Sequence, residues 1–146
     1  MIRPYQETDK PALLALIGLH TPAFFAPQEE ADFARYLATE AQHYFVLEEA
    51  GQITACGGYN LLPNNTRAHL SWDLVHPASQ GKGLGTALTE FRIAELKKHP
   101  HVQTLVVRTT PQAFRFYQKF GFAITQTAAD FWAPGYHLVQ LERALP

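Results

Sequence analysis

Gly81, Gly83 and Gly85 alternate within five residues, between an apolar run ending at Val75 and a stretch with helical apolar spacing. A strand, a short flexible loop and a helix start, in that order, constrain this chain more than any other feature. A helix N-terminus leaves backbone N–H groups unpaired and carries partial positive charge. Glycines let an anion approach that backbone closely. The segment Val75-His76-Pro77-Ala78-Ser79-Gln80-Gly81-Lys82-Gly83-Leu84-Gly85-Thr86-Ala87-Leu88 therefore suits a pyrophosphate held by the amides of Gly81 to Thr86. A Walker loop would close on Gly-Lys-Ser or Gly-Lys-Thr after four intervening residues, and this one does not. A dinucleotide fingerprint opens a parallel strand–helix–strand unit, whereas the strand here follows an antiparallel meander. A turn that merely starts a helix is the plain alternative.

The rest of the chain reads as one domain, 1–146, without linker or repeat. Ile2 to Tyr5 predicts a first strand, and Thr8 or Asp9 caps a helix with Leu13, Leu14, Leu16, Ile17 and His20 on its apolar positions. Pro22 and Pro27 break it. A second helix is expected over 28–40, with Phe33, Tyr36 and Leu37 inward. Strands at 44–47 and 53–59 flank the turn Ala50-Gly51-Gln52, and a third follows at 68–75. Leu84, Ala87, Leu88, Phe91 and Ala94 then recur at helical spacing. A strand at 102–107 comes next, and then a helix opened by Pro111 with Ala113, Phe116, Tyr117 and Phe120 on one face. Two final strands are expected near 123–127 and 136–143. The pattern is an α/β or α+β mixed sheet with helices on its faces.

Composition removes several function classes. Hydrophobic residues make up 47% of the 146 and charged residues 17%, which argues for a packed globule rather than disorder. A net charge of −1 offers no broad basic surface, so a nucleic-acid partner is not expected. No run of 18 apolar residues exists, so no membrane partner is expected either. The single Cys56 forms no internal disulfide and rules out a Cys-rich zinc site; no metal is expected. Its apolar strand setting reads as a buried thiol. The first residues lack the form of a signal peptide, and a cytoplasmic protein is expected.

Two motifs together are more specific than either alone. Gln80-x-x-Gly83-x-Gly85 after Val75-His76-Pro77 resembles the acetyl-CoA loop of the GNAT superfamily of N-acetyltransferases. Pro111-Gln112-Ala113-Phe114-Arg115-Phe116-Tyr117-Gln118-Lys119-Phe120-Gly121-Phe122 resembles the family's fourth helix, and the order of elements is similar too. Thr110 is a departure, since the family often carries Asn there. The resemblance implies a mostly antiparallel seven-stranded sheet with splayed fourth and fifth strands, flanked by about four helices. It implies acetyl-CoA as co-substrate and acetyl transfer to a primary amine of a small molecule or peptide.

Carried onto this sequence, the resemblance places the pyrophosphate on Gln80, Gly81, Lys82, Gly83, Leu84, Gly85 and Thr86, with Thr110 also at the cofactor. It places the thioester carbonyl on backbone N–H groups at Leu74 or Val75. Tyr117 matches the family's general acid, although its helical stripe equally suits a core aromatic. Alternation along the strand puts His69, Ser71, Asp73 and Val75 on one face; the Asp73 carboxylate, one strand turn from the thioester, is the candidate base, with His69 and His137 behind it. A cationic substrate or a loop contact would use Asp73 equally well, and ordered water can replace a dedicated base. Phe24, Phe25, Trp72 and Trp132 are the candidate acceptor-binding residues. Glu29, Glu30, Phe131 and Tyr136 stand near them, because aromatics with carboxylates suit a cationic amine. Two competing readings are a non-catalytic CoA-binding or regulatory module on the same fold, and a nucleotide-binding module. A monomer or a homodimer is compatible with the apolar last hairpin.

Overall fold

The computed structural model describes residues 1–146. Seven strands and four helices follow one another as β1 (Ile2–Pro4), α1 (Lys10–Gly18), α2 (Glu29–Thr39), β2 (Tyr44–Glu49), β3 (Gln52–Leu61), β4 (Arg67–Val75), α3 (Leu84–Leu96), β5 (Thr104–Thr109), α4 (Phe114–Gln118), β6 (Ala123–Ala133) and β7 (Tyr136–Ala144). Short 3₁₀ turns at Glu7–Asp9 and Pro77–Ser79 precede α1 and the glycine loop. The strands form one sheet in the order β1-β2-β3-β4-β5-β7-β6. All neighbours are antiparallel except β4 and β5, which α3 connects in parallel. No helix is long and apolar enough to cross a membrane.

The sheet carries a core on each face. Under α1 and α2, Leu13, Ile17, Phe33 and Leu37 pack on Tyr44, Val46, Cys56 and Leu74. That core draws its strand residues from β2, β3 and β4 alone. On the other face, Ile93 and Leu96 of α3 and Tyr117 of α4 pack on Leu70, Leu105, Val107, Val139 and Leu141.

Three elements differ from the sequence reading. The helix at Pro111 is shorter than expected: Ala113 has φ −119°, and residues 111–113 form a turn on the Thr110 carbonyl before α4 begins. β6 runs on to Ala133, because β7 pairs with it across two register shifts, and this draws Phe131 and Trp132 into the strand.

The third difference reorganises the site. β4 does not alternate throughout. Cys56 pairs with Leu74, but Gly58 pairs with Ser71, so β4 holds one extra residue there. Trp72 takes the strain with φ +52°. Its ring lies on Phe33 and Phe25, and its carbonyl accepts from the Tyr44 hydroxyl at 2.6 Å. Beyond this bulge the faces exchange. Ser71 remains on the α1/α2 side, bonded to Asn60, while Asp73 turns to the α3/α4 side.

The partner strand has no room for side chains at the bulge. A Cβ on Gly58 would lie 2.4 Å from the His43 carbonyl oxygen and 2.9 Å from the Tyr44 Cα, backbone atoms with little freedom to yield. Gly58→Ala is expected to destabilise the protein by about 1–3 kcal/mol, read as a lowered urea midpoint with an unchanged m-value. An unaltered midpoint would mean that β2 and β3 do not approach this closely.

Candidate active site

β4 and β5 are hydrogen-bonded only from Arg67↔Thr104 to Leu70↔Val107. Beyond Leu70 the strands part, so the β4 edge from Ser71 to Val75 faces an open gap. The His76 N–H donates to the Thr54 carbonyl at 2.8 Å, which marks that position as a hydrogen-bonded pair of the β3–β4 ladder. In an antiparallel ladder such pairs alternate. Leu74 therefore bonds towards β3, its side chain sits in the core, and Val75 directs its backbone into the gap. The Val75 carbonyl bonds to His20 Nε2 at 2.8 Å instead of to β3. His20 lies in the turn after α1 and is buried.

Asp73, at the gap, joins β4 to both helices of the α3/α4 face. Arg92 on α3 grips both of its oxygens, Nη1 to Oδ1 at 2.5 Å and Nη2 to Oδ2 at 2.8 Å. The same guanidinium donates to the Gly58 and Leu88 carbonyls. Tyr117 on α4 donates its hydroxyl to Asp73 Oδ2 at 2.5 Å. Arg92 is 1% exposed, whereas the Asp73 side chain is 22% exposed, so the cation is sealed in and the carboxylate reaches the gap. Burial, with the Asp73 charge adding to it, pushes the Tyr117 phenol well above its ordinary value. Arg92 was not among the residues singled out from sequence. Its signal was an arginine at i+4 between Leu88 and Leu96, on the inner stripe of an amphipathic helix.

At the far end of the gap, Gly81 and Gly83 hold φ +79° and +78°. Neither would bring a Cβ within 4 Å of any atom, so the loop is open where an anion would lie. Gly83 is the N-cap of α3, and no side chain caps that end. Ala87 makes the first turn bond back to Gly83, which leaves the N–H groups of Leu84, Gly85 and Thr86 without helix partners. Gln80, Gly81, Lys82, Gly83 and Thr86 are exposed around them or border them. The cradle fits a pyrophosphate by its backbone donors, its glycine conformations and its free space.

On the opposite side, the turn after α1, the segment after β5 and the tip of the β6–β7 hairpin enclose a cleft of about 260 Å³. Its walls include Pro22, Thr110, Gln112, Tyr136 and His137. The Tyr136 hydroxyl donates to the Pro22 carbonyl at 2.6 Å and ties the hairpin to the α1–α2 loop. Phe25 stacks on Trp72, Phe24 is exposed beside His20, and Trp132 donates to the Thr109 carbonyl. None of these four aromatics lines the cleft itself, and Phe25 and Trp72 pack against the α1/α2 core.

The carboxylates expected beside them are placed otherwise. Glu29 is buried and accepts from the Ala26 N–H at 2.7 Å, holding the entry to α2. His69 lies on the α1/α2 face, away from Asp73, and burial with nearby Arg108 and Arg67 lowers its pKa. His137 accepts from the Asp130 N–H. Cys56 is fully buried and its thiol is pushed up to about 12, in keeping with an inert core residue.

The comparisons with known proteins give the class to which this split sheet belongs. A family model described as an acetyltransferase (GNAT) domain matches residues 17–143. The chain belongs to this GNAT acetyltransferase family. No curated protein sequence matches it. Among solved structures, the ribosomal-protein-S18-alanine N-acetyltransferase of Escherichia coli is similar, at 24% identity and TM-score 0.80 over 99% of this chain and 93% of that one. Ard1 of Thermoplasma volcanium superposes at TM-score 0.85 with 16% identity, covering 100% and 97%. An aminoglycoside 6'-N-acetyltransferase complexed with coenzyme A gives 0.82 at 12%, covering 100% and 97%.

Removing one partner of a buried ion pair leaves the other uncompensated. Arg92→Leu is therefore expected to lower stability by about 2–4 kcal/mol, below the fully buried case because Asp73 keeps some solvent contact. Asp73→Asn in the Arg92→Leu background should recover part of that loss in chemical denaturation. A double variant no more stable than Arg92→Leu would show that the pair is not what holds β4 to α3.

Proposed function

We propose that this chain transfers an acetyl group from acetyl-CoA to a primary amine of a small molecule or peptide, by direct attack in a ternary complex. The observation that carries the reading is the gap between β4 and β5, with unpaired helix N–H groups at one end and Tyr117 with Asp73 midway along it. Bound acetyl-CoA supplies a thioester carbonyl for the amine to attack.

The chain's own residues divide the work. Gln80, Gly81, Lys82, Gly83, Leu84, Gly85 and Thr86 hold the pyrophosphate through backbone donors and the helix end, and Thr110 touches the cofactor from the β5 side, where it also lines the cleft. Of Leu74 and Val75, Val75 has its N–H towards the gap, where it polarises a carbonyl as an oxyanion hole does. Tyr117 acts as general acid: its O–H turns from Asp73 Oδ2 to the leaving sulfur as the C–S bond breaks, and the phenolate regains a proton from water, which has taken the one lost by the amine. Its raised pKa keeps the phenol protonated at neutral pH. Asp73 serves this step by orienting Tyr117. Arg92 and Tyr117 already occupy its oxygens, which makes it a poor free base. The amine then loses its proton to water. Phe24, Phe25, Trp72 and Trp132 form the apolar surround of the acceptor.

Tyr117→Phe is expected to lower kcat on the order of 10²-fold while acetyl-CoA affinity is kept. An unaltered rate would remove Tyr117 from the chemistry and favour a binding module. In the unmodified protein, the rate should climb with pH as the amine deprotonates, and should show no phenol-dependent fall up to about pH 10. A descending limb near neutrality that vanishes in Tyr117→Phe would contradict the raised phenol pKa.

Acetyl-CoA at 100 times its Kd should stabilise the fold by about 2.7 kcal/mol, with ATP and NAD without effect. Gly83→Asp puts a carboxylate into the anion cradle and should abolish that stabilisation. A full acetyl-CoA shift in Gly83→Asp would place the cofactor elsewhere.

A further inference from the structure

Arg108 is the first residue of β5 beyond its last pairing with β4, Leu70↔Val107. It therefore stands at the fork of the gap. Leu105 and Val107 point into the α3/α4 core, so Arg108 points to the opposite face, the side of the α1–α2 loop. Val106 on that face is buried, whereas Arg108, at the strand's end, is exposed. Thr110, two residues along the chain and about 6–7 Å away at strand spacing, lines the 260 Å³ cleft, and Arg108 stands outside its lining, on the approach from the fork.

The side chain is held, and its charge is unanswered. Arg108 Nε donates to Gln140 Oε1 at 2.9 Å, and its guanidinium lies over the Phe131 ring at 6.0 Å from the centroid. Those contacts set its plane and leave the two terminal amino groups free. Arg67, the next cation on this face, is neutralised by Glu142 at 3.1 Å. Arg108 has no carboxylate partner; the one carboxylate at the cleft's rim, Asp130, accepts from the Gly135 N–H at 2.7 Å and lies 3.8 Å from His137 Nδ1. Asp73, across the fork, is turned to the other face and gripped by Arg92. The acceptor side of the gap thus carries one oriented, uncompensated guanidinium, where the sequence led to an expectation of carboxylates.

We propose that Arg108 determines acceptor specificity by binding a carboxylate on the amine substrate, which makes the acceptor an amino acid or a similarly small amine with a carboxylate close to its nitrogen. The inference rests on the acetyl-transfer reading above. A planar guanidinium with its fork free matches the two oxygens of a carboxylate. The cleft is smaller than the roughly 300–1,000 Å³ of drug-sized sites, which suits an acceptor of amino-acid size. The positive charge also favours the neutral form of a neighbouring amine, the form that attacks.

Thiol release from acetyl-CoA, followed over three matched acceptor sets, tests the proposal: free L-amino acids, their C-terminal amides, and the corresponding amines without the carboxylate. The acids should exceed both other sets by at least about tenfold in kcat/KM. Arg108→Gln should raise KM for the acids on the order of 10–100-fold, with kcat, amide turnover and acetyl-CoA affinity nearly unaltered. Arg108→Lys should restore part of the preference. Amides or plain amines acetylated as well as acids would overturn the inference, as would an Arg108→Gln variant impaired equally on all three sets. Acetyl-CoA binding without turnover of any set would also overturn it and leave the cofactor assignment intact. Failure to bind acetyl-CoA would instead remove the reading beneath it.

Discussion

Taking a guanidinium out of water costs several kcal/mol, and Arg92 is 1% exposed. The fold offsets that cost with two carboxylate oxygens of Asp73 and the carbonyls of Gly58 and Leu88. Every one of those partners constrains something else. The Gly58 carbonyl belongs to the stretch of β3 opposite the bulge. Asp73 reaches Arg92 only because the extra residue at Ser71–Trp72 turns it to the α3/α4 face. Tyr117 in turn donates to the carboxylate that Arg92 holds. One buried cation thus links the bulged strand, the helix that begins at the glycine loop and the short helix that carries the phenol. Gly57 shows how tight the arrangement is: a Cβ there would meet Asp73 Oδ1 at 2.7 Å and Arg92 Nη1 at 3.0 Å.

The gap is a consequence of sheet geometry and is charged differently along its length. A parallel pair that stops after four residues leaves β4 with an unpaired edge. Unpaired edges invite an extended partner, and in this fold the edge leads directly to the unpaired N–H groups at the start of α3. The middle of the gap is neutral as a unit, because Asp73 and Arg92 cancel. Positive charge stands at the two outer positions, from the helix end and Lys82 on one side and from Arg108 on the other. This arrangement suits two anionic groups, held apart, with an uncharged reacting centre between them.

Much of this was legible in the residues. Gly81, Gly83 and Gly85 announced the loop because left-handed backbone, held at Gly81 and Gly83, and a bare helix start, where Gly85 sits, are both local properties. The apolar spacing of α3 announced the helix, and Val102 to Val107 announced a buried strand, displaced by two residues. What was not legible follows from non-local causes. Alternation along β4 misplaced Asp73, since a bulge depends on how Gly57 and Gly58 of another strand accept it. The longer β6 depends on β7 across the hairpin. His20 reads as one more position on α1, yet lies past the helix end and bonds to Val75, 55 residues away.

The sequence by itself determined the family, the order of elements and the glycine loop before α3, because each rests on short-range chemistry: glycine conformation, helix N-termini, hydrophobic period. Only the tertiary structure decided which charges meet. Arg92 and Asp73 are 19 residues apart, Tyr117 and Asp73 are 44 apart, and Arg108 and Gln140, paired across the neighbouring strands β5 and β7, are 32 apart. Whether a carboxylate is a base, an anchor or a capping group depends on the partner that packing brings to it. That partner is set by sheet register and helix placement, which no local stretch of this chain encodes.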